Sequence, residues 1–236
     1  MKKEILIVKN SINEGPGLLE EILKGKKVWY FITELGKKEK IPPIENFGAT
    51  VILGGPASAN DTDEIMESEL EFVRNVLSTE TPYLGICLGL QTLVKAAGGR
   101  VVESPVKEVG FLDPDENNFT INLTEEGKQD PLFSELNTSL KVFHLHGETI
   151  ELTDDMVLLA VGEFCHNQVV RIGSNAYGIQ SHFELTPKMF EEWINRDPDL
   201  QKLDTEYLRS IFNKIKDEYT KTGKQLLRNF LRIAGY

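Results

Sequence analysis

Short apolar, β-branched runs alternate with helical spacing through the first hundred residues. Residues 4–8, EILIV, carry an unbroken apolar run from Ile5 to Val8, as expected for a strand covered on both faces of a parallel sheet. Residues 16–25, PGLLEEILKG, then take helical spacing, with Pro16 at the start and Gly25 at the end. Residues 27–32 and 49–55 predict the second and third strands and residues 82–86 the fourth. Between the last two, Asp61 or Thr62 is expected to cap a helix reaching about Leu77, with Ile65, Leu70, Val73, Val76 and Leu77 on its apolar face. Residues 88–99 predict a further helix, stopped by paired glycines.

From residue 100 to 180 the pattern becomes strand-like segments separated by turns, among them FTINLT, LKVFHLH, QVVRIG and AYGIQSHFE. These predict a mixed or antiparallel region added to the first half. The last fifty residues are helical again, with one stripe of Leu208, Ile211, Phe212 and Ile215 and another of Leu226, Leu227, Phe230 and Leu231. The expected fold is α/β: an open, mostly parallel, flavodoxin-like central sheet with helices on both faces, added β segments and a helical C-terminal tail. Without a repeat, a low-complexity stretch or a Pro/Gly/Ser linker, residues 1–236 are expected to form a single domain, with a core of 1–190 and a tail of 191–236.

Composition narrows the classes of function. The formal net charge is -11, and the 26 Lys and Arg are scattered among 37 Asp and Glu, so no basic stripe offers a nucleic-acid footprint. The apolar run near the start covers only Ile5 to Val8, too short for a signal peptide, and no stretch approaches a membrane span. Two cysteines, Cys87 and Cys165, then read as free thiols of a reducing compartment, and a cytoplasmic protein is expected.

Chemistry enters at residues 84–91, LGICLGLQ. A strand, Gly85, Cys87, Gly89 and a helix follow one another as in the G-x-S-x-G nucleophile elbow, with sulfur in place of oxygen. A helix N-terminus beside Cys87 would favour its thiolate. Taken alone the stretch fits an inert buried thiol equally well. Cys165 has no such bracket and reads as inert.

A cysteine nucleophile needs a base, and the chain offers His144, His146, His166 and His182. His182 and Glu184 lie two positions apart on a strand end, so they share a face, although an exposed pair would look the same. His144, His146 and Glu148 in HLHGE match a two-histidine, one-carboxylate metal set, but Gly147 is expected to break the strand. Residues 52–58, ILGGPAS, could turn a backbone N–H into a cleft and, with the Leu88 N–H, form an oxyanion hole, or be a plain loop. NEGPG, residues 13–17, lacks the lysine and spacing of a phosphate loop and reads as a turn.

GGPAS, GICLGLQ and SHFE, in that order, resemble the class I (triad-type) glutamine amidotransferases, with 95 positions between Cys87 and His182. KEVGF, DPLF, VFHLHGETIEL and CHNQVVRIG are similar to a stand-alone subgroup named after the amidotransferase part of GMP synthase. The resemblance covers residues 1 to about 190. It implies Cys87 as nucleophile, His182 as general base and acid, Glu184 as its orienter, and Gly55 and Leu88 as oxyanion donors. It further implies Gln91, Gly147 and Glu148 as substrate contacts, which displaces the metal reading and leaves no metal and no cofactor. Two positions depart from the family pattern: Phe183 stands where proline is common, and Glu148 where aspartate or an apolar residue is common.

The implied activity is a glutaminase-type amidohydrolysis that releases ammonia from glutamine through a γ-glutamyl thioester. The alternatives are a stand-alone hydrolase of γ-glutamyl compounds and a non-catalytic binding protein. The expected partners are a small-molecule substrate, a synthetase on a separate chain because no ATP-binding stretch is visible, and a further copy of the chain, with no nucleic acid and no membrane.

Overall fold

The computed structural model describes residues 3–236; Met1 and Lys2, at the head of the expected 1–236 domain, lie outside them. The first half runs β1 (Glu4–Lys9), α1 (Leu18–Lys26), β2 (Tyr30–Glu34), β3 (Phe47–Ile52), α2 (Glu64–Ser78), β4 (Tyr83–Ile86) and α3 (Leu88–Ala96), with only two short 3-10 turns between β2 and β3. The second half contributes β5 (Arg100–Gly110), β6 (Thr120–Leu123), α4 (Glu125–Gln129), β7 (Ser139–Lys141) and β8 (His144–Glu151). It continues with β9 (Met156–Val161), β10 (Asn167–Ile172), β11 (Ala176–Ile179), α5 (Pro187–Ile194) and α6 (Thr205–Ile233).

Nine strands form one sheet in the order β2-β1-β3-β4-β11-β10-β9-β6-β7. The first five are parallel, in the flavodoxin-like order, and the last four run antiparallel to their neighbours. β5 and β8 pair separately as an antiparallel arm, whose register slips between Glu103 and Glu108 where Pro105 cannot donate to the ladder. The apolar run of β1 is fully buried, as a strand between two helical layers requires.

Several boundaries differ from the sequence expectation for local reasons. Asp63, not Asp61 or Thr62, caps α2, its carboxylate accepting from the Ile65 and Met66 N–H groups. Ile65 therefore falls in the first turn and stays exposed, while Leu70, Val73 and Val76 are buried. Gly25 lies inside α1, and Lys27 in the left-handed conformation stops it. That leaves Trp29 out in solvent and starts β2 at Tyr30. β8 runs through Gly147 without a break, so HLHGE is strand, not loop.

The tail packs back on the core. Leu226, Leu227, Phe230 and Leu231 of α6 close the face of the sheet that α1 also covers. The first half of α6 packs with α5 around Phe111, Phe143, Phe190 and Trp193 in a second cluster. Each fully buried Leu or Phe contributes on the order of 1.5–3 kcal/mol, which is what holds a helix of this length in place.

Candidate active site

Three parallel strands end side by side here, β3 at Ile52, β4 at Ile86 and β11 at Ile179, and the candidate residues occupy the turns that follow. Cys87 connects β4 to α3 with φ 53 and ψ -107, in a region that L-residues avoid. The glycine bracket is a steric necessity. A Cβ on Gly85 would overlap the Gly89 carbonyl, and one on Gly89 would overlap the Ile52 carbonyl. The Cys87 N–H donates to the Ile179 carbonyl at 2.7 Å, which ties the elbow to β11.

Past β11 the chain carries His182 and Glu184, both buried. His182 Nδ1 donates to Glu184 Oε1 at 2.7 Å, and the other carboxylate oxygen accepts from the Phe183 N–H at 3.0 Å. Burial disfavours the charged imidazole, yet Glu184 and the neighbouring Cys87 thiol reverse that and hold His182 well above its ordinary value. Gly54, at the start of the GG turn, sits between the two: a Cβ there would lie 3.1 Å from His182 Cε1 and 3.4 Å from Cys87 Cβ.

Gly55 follows Gly54, and a Cβ there would meet Asn10 Cβ at 2.6 Å and the Leu88 side chain at 3.4 Å. Leu88 holds the first position of α3, where an N–H has no intrahelical acceptor. Gln91, one turn along, is buried and donates to the Glu148 carbonyl and to Gln180 Oε1 at 3.5 and 3.4 Å. Gln180 in turn directs its Nε2 to Cys87 Sγ at 3.7 Å. Cys87, Gly55, Gln91, Gly147 and Glu148 all line one cavity of about 470 Å³. Leu88 adjoins Cys87 in the chain, and His182, paired with Glu184, approaches the same turn at Gly54, whereas His166, among the four candidate histidines, is exposed.

The histidine pair of HLHGE keeps company with a different carboxylate from the one expected. Glu148 points to Ser58, whose hydroxyl donates to its Oε1 at 2.8 Å. The group beside the imidazoles is Glu108 of β5, which with His144 and His146 forms a buried set of donors close enough to hold a metal ion. The same atoms also satisfy one another. His146 Nδ1 donates to the Glu148 carbonyl at 3.1 Å, and its Nε2 lies 2.9 Å from Glu108 Oε2 and 3.1 Å from His144 Nδ1. Glu108 accepts further from the Cys165 N–H and Gln168 Nε2. Burial, then the neighbouring His146 and His182, keep His144 well below the usual histidine value, hence neutral. Cys165 stays inert: burial pushes its thiol up to about 11.

Other residues at this site escaped the sequence reading. Gln180 was accessible to it, since period two places residues 180, 182 and 184 on one face. Asn10, which donates to the Leu53 carbonyl at 3.1 Å and steadies the GG turn, carries no local signal. Glu14, in the segment expected to be a plain turn, presses its carboxylate against Gly54. Burial pushes that carboxyl up to about 7; His182 pulls it down, while Glu184 and Asp197 push it further up.

The glutamine amidotransferase class-I family model matches residues 24–197. The chain is 34% identical over 162 residues to a glutamine amidotransferase-like protein, YfeJ, of Salmonella typhimurium, covering 66% of this chain and 65% of that one. It is 29% identical over 190 residues to a glutamine-hydrolysing GMP synthase of Thermosipho africanus, covering 76% of this chain and 33% of the synthase. The chain thus spans just under two thirds of the first relative and about a third of the second. Among solved structures, a glutamine amidotransferase of Thermotoga maritima superposes with a TM-score of 0.87 at 26% identity over 100% of both chains. One from Methylobacillus flagellatus gives 0.86 at 24% identity, over 99% of this chain and 96% of that one, a likeness of fold.

Proposed function

Since the chain belongs to the class-I glutamine amidotransferase family, we propose that it hydrolyses the side-chain amide of glutamine through a γ-glutamyl thioester on Cys87. The observation that carries this reading is the 2.7 Å pairing of His182 with Glu184 beside a strained, glycine-bracketed cysteine that lines the cavity.

The Cys87 thiolate attacks the γ-carboxamide carbon, and the oxyanion that forms takes hydrogen bonds from the Gly55 and Leu88 N–H groups. One such donor is worth about 2.7–4 kcal/mol of barrier. His182, charged by virtue of Glu184, protonates the departing nitrogen as ammonia. Neutral again, it takes a proton from water, which cleaves the thioester to glutamate and restores the thiol. Gln91, Gly147 and Glu148 hold the amino-acid end.

The relatives named GMP synthase support a further reading, that the ammonia passes to a synthetase partner. No helix among the described residues is long and apolar enough to cross a membrane. Steady-state glutamate release from glutamine by the purified chain tests the activity: Cys87→Ser is expected to abolish it, and unchanged release would refute the assignment.

A further inference from the structure

Glu108, His144 and His146 are buried side by side, and the proposed reaction uses none of them. Glu108 of β5 pairs directly with His146 of β8, and His144, two positions earlier, lies on the same face of the strand. The three meet where the β5–β8 ladder resumes after its slip.

Hydrogen bonds account for every short contact in this cluster but one. The Glu148 carbonyl only accepts, so the hydrogen of the His146 imidazole sits on Nδ1. Nε2 of the neutral ring is then a bare lone pair, and it faces Glu108 Oε2, which brings lone pairs of its own, at 2.9 Å. His144 Nδ1 can donate the one hydrogen of its ring to His146 Nε2 at 3.1 Å, with its Nε2 left 3.6 Å from the same carboxylate oxygen. That leaves the 2.9 Å approach as it was. The other His144 tautomer sets a second pair of lone pairs face to face. A positive centre therefore belongs among these three side chains: a proton bridges two of them, whereas a divalent cation takes all three.

We propose that Glu108, His144 and His146 form a zinc site, separate from Cys87 and His182, whose ion ties β5 to β8 and so fixes the Gly147 and Glu148 wall of the glutamyl cavity. Two imidazoles and a carboxylate suit zinc, whereas magnesium and calcium take oxygen ligands. Zinc bonds of about 2.0–2.2 Å at tetrahedral angles put ligand atoms roughly 3.3–3.6 Å apart. The separations here, 2.9, 3.1 and 3.6 Å, need only small side-chain shifts to match. The surrounding groups are those of a ligand set. A ligating histidine is held by donating its other N–H to a carbonyl or carboxylate, as His146 does to Glu148. Glu108 is held by the Cys165 N–H at 3.4 Å and Gln168 Nε2 at 3.3 Å. His146 also lines the large cavity, which gives an ion its way in.

The test loads the chelator-treated full chain with zinc sulfate, removes the excess by dialysis and measures metal content by mass spectrometry, with affinity from competition against a chromophoric chelator. Wild type and Cys87→Ser are both expected to retain about one zinc per chain, bound through the same three ligands. Glu108→Gln is expected to bind it more weakly by at least about 100-fold, beyond the 10–100-fold that loss of a supporting group costs. Zinc should raise the unfolding temperature of wild type and leave that of Glu108→Gln unmoved. Cobalt(II) reads the same site without a buried substitution: the wild type should show d–d bands of a nitrogen and oxygen set and no thiolate-to-cobalt charge-transfer band. A wild type that retains no zinc leaves a shared proton at the 2.9 Å contact and overturns the inference. Zinc lost in Cys87→Ser, or a thiolate band with cobalt, puts the ion on a cysteine and overturns it too. So does equal affinity in Glu108→Gln and wild type.

Discussion

The Tyr219 hydroxyl donates to the His182 carbonyl at 2.7 Å, which joins the C-terminal helix to the backbone of the candidate base. Four residues on, Gly223 allows α6 to approach so closely that a Cβ there would overlap the Phe183 carbonyl. Tyr219→Phe keeps the ring packing and removes the donor from a buried carbonyl. The expected loss is about 1–3 kcal/mol in urea denaturation. kcat is expected to fall more than KM rises, because the imidazole loses its seat while the glutamyl cavity is untouched.

Glu184→Gln tests the other support of His182. The amide can still meet Nδ1, but it no longer compensates burial of a charged imidazole, so the His182 value moves down. A raised imidazole is charged below its folded value and loses its proton as pH rises through it. The variant is therefore expected to lose the protonated acid at lower pH than the wild type. A kcat decrease of about 10²–10⁴-fold is expected, with the alkaline limb of the pH–rate profile shifted to lower pH. An unshifted limb would mean that Glu184 does not set the charge of His182.

Gly85 and Gly147 should respond in opposite ways to the same change. Gly85→Ala drives a methyl into the Gly89 backbone and is expected to cost about 3 kcal/mol or more, with loss of activity as the elbow opens. Around Gly147 the nearest obstacle is the flexible Lys107 side chain at 3.6 Å, so Gly147→Ala is expected to stay within about 0.5 kcal/mol of wild type. Chemical denaturation of both variants checks the contrast.

The parallel half of the fold was legible because β1, β3 and β4 are almost wholly buried and read as short apolar runs, whereas the edge strand β2 leaves Phe31 exposed and the stop of α1 fell two residues past Gly25. The elbow, the His182–Glu184 pair and the GG turn were legible because strand periodicity and glycine sterics act over two to four residues. What was hidden depends on pairing at long range. Glu108 meets His146 only through the β5–β8 arm, and Tyr219 meets His182 across 37 positions. Glu14 looked like a turn residue because its neighbour Gly54 lies on another strand end. The slip of the α2 cap to Asp63 turned on which of several adjacent polar residues reached the N–H groups.

Glu69 supplies a prediction about stability that is separate from catalysis. It is fully buried on α2, accepts a hydrogen bond from Asn10 Nδ2 at 3.4 Å, and leaves its other carboxylate oxygen without a partner. Burial pushes its carboxyl from 4.5 to about 7, while Thr92 and Asn10 act in the opposite direction. The folded chain thus holds this proton more tightly than the unfolded chain does. Its contribution is fully present below 4.5 and is lost as pH rises through about 7. The shift corresponds to at most about 3 kcal/mol. Glu69→Gln mimics the protonated form at every pH. Thermal unfolding is expected to show wild type and variant alike near pH 4.5, and the variant more stable from about pH 7 upward. Parallel curves across that window would show that Glu69 carries no titrating load, and the Asn10–Leu53 contact beside the GG turn would then need another explanation for its buried carboxyl neighbour.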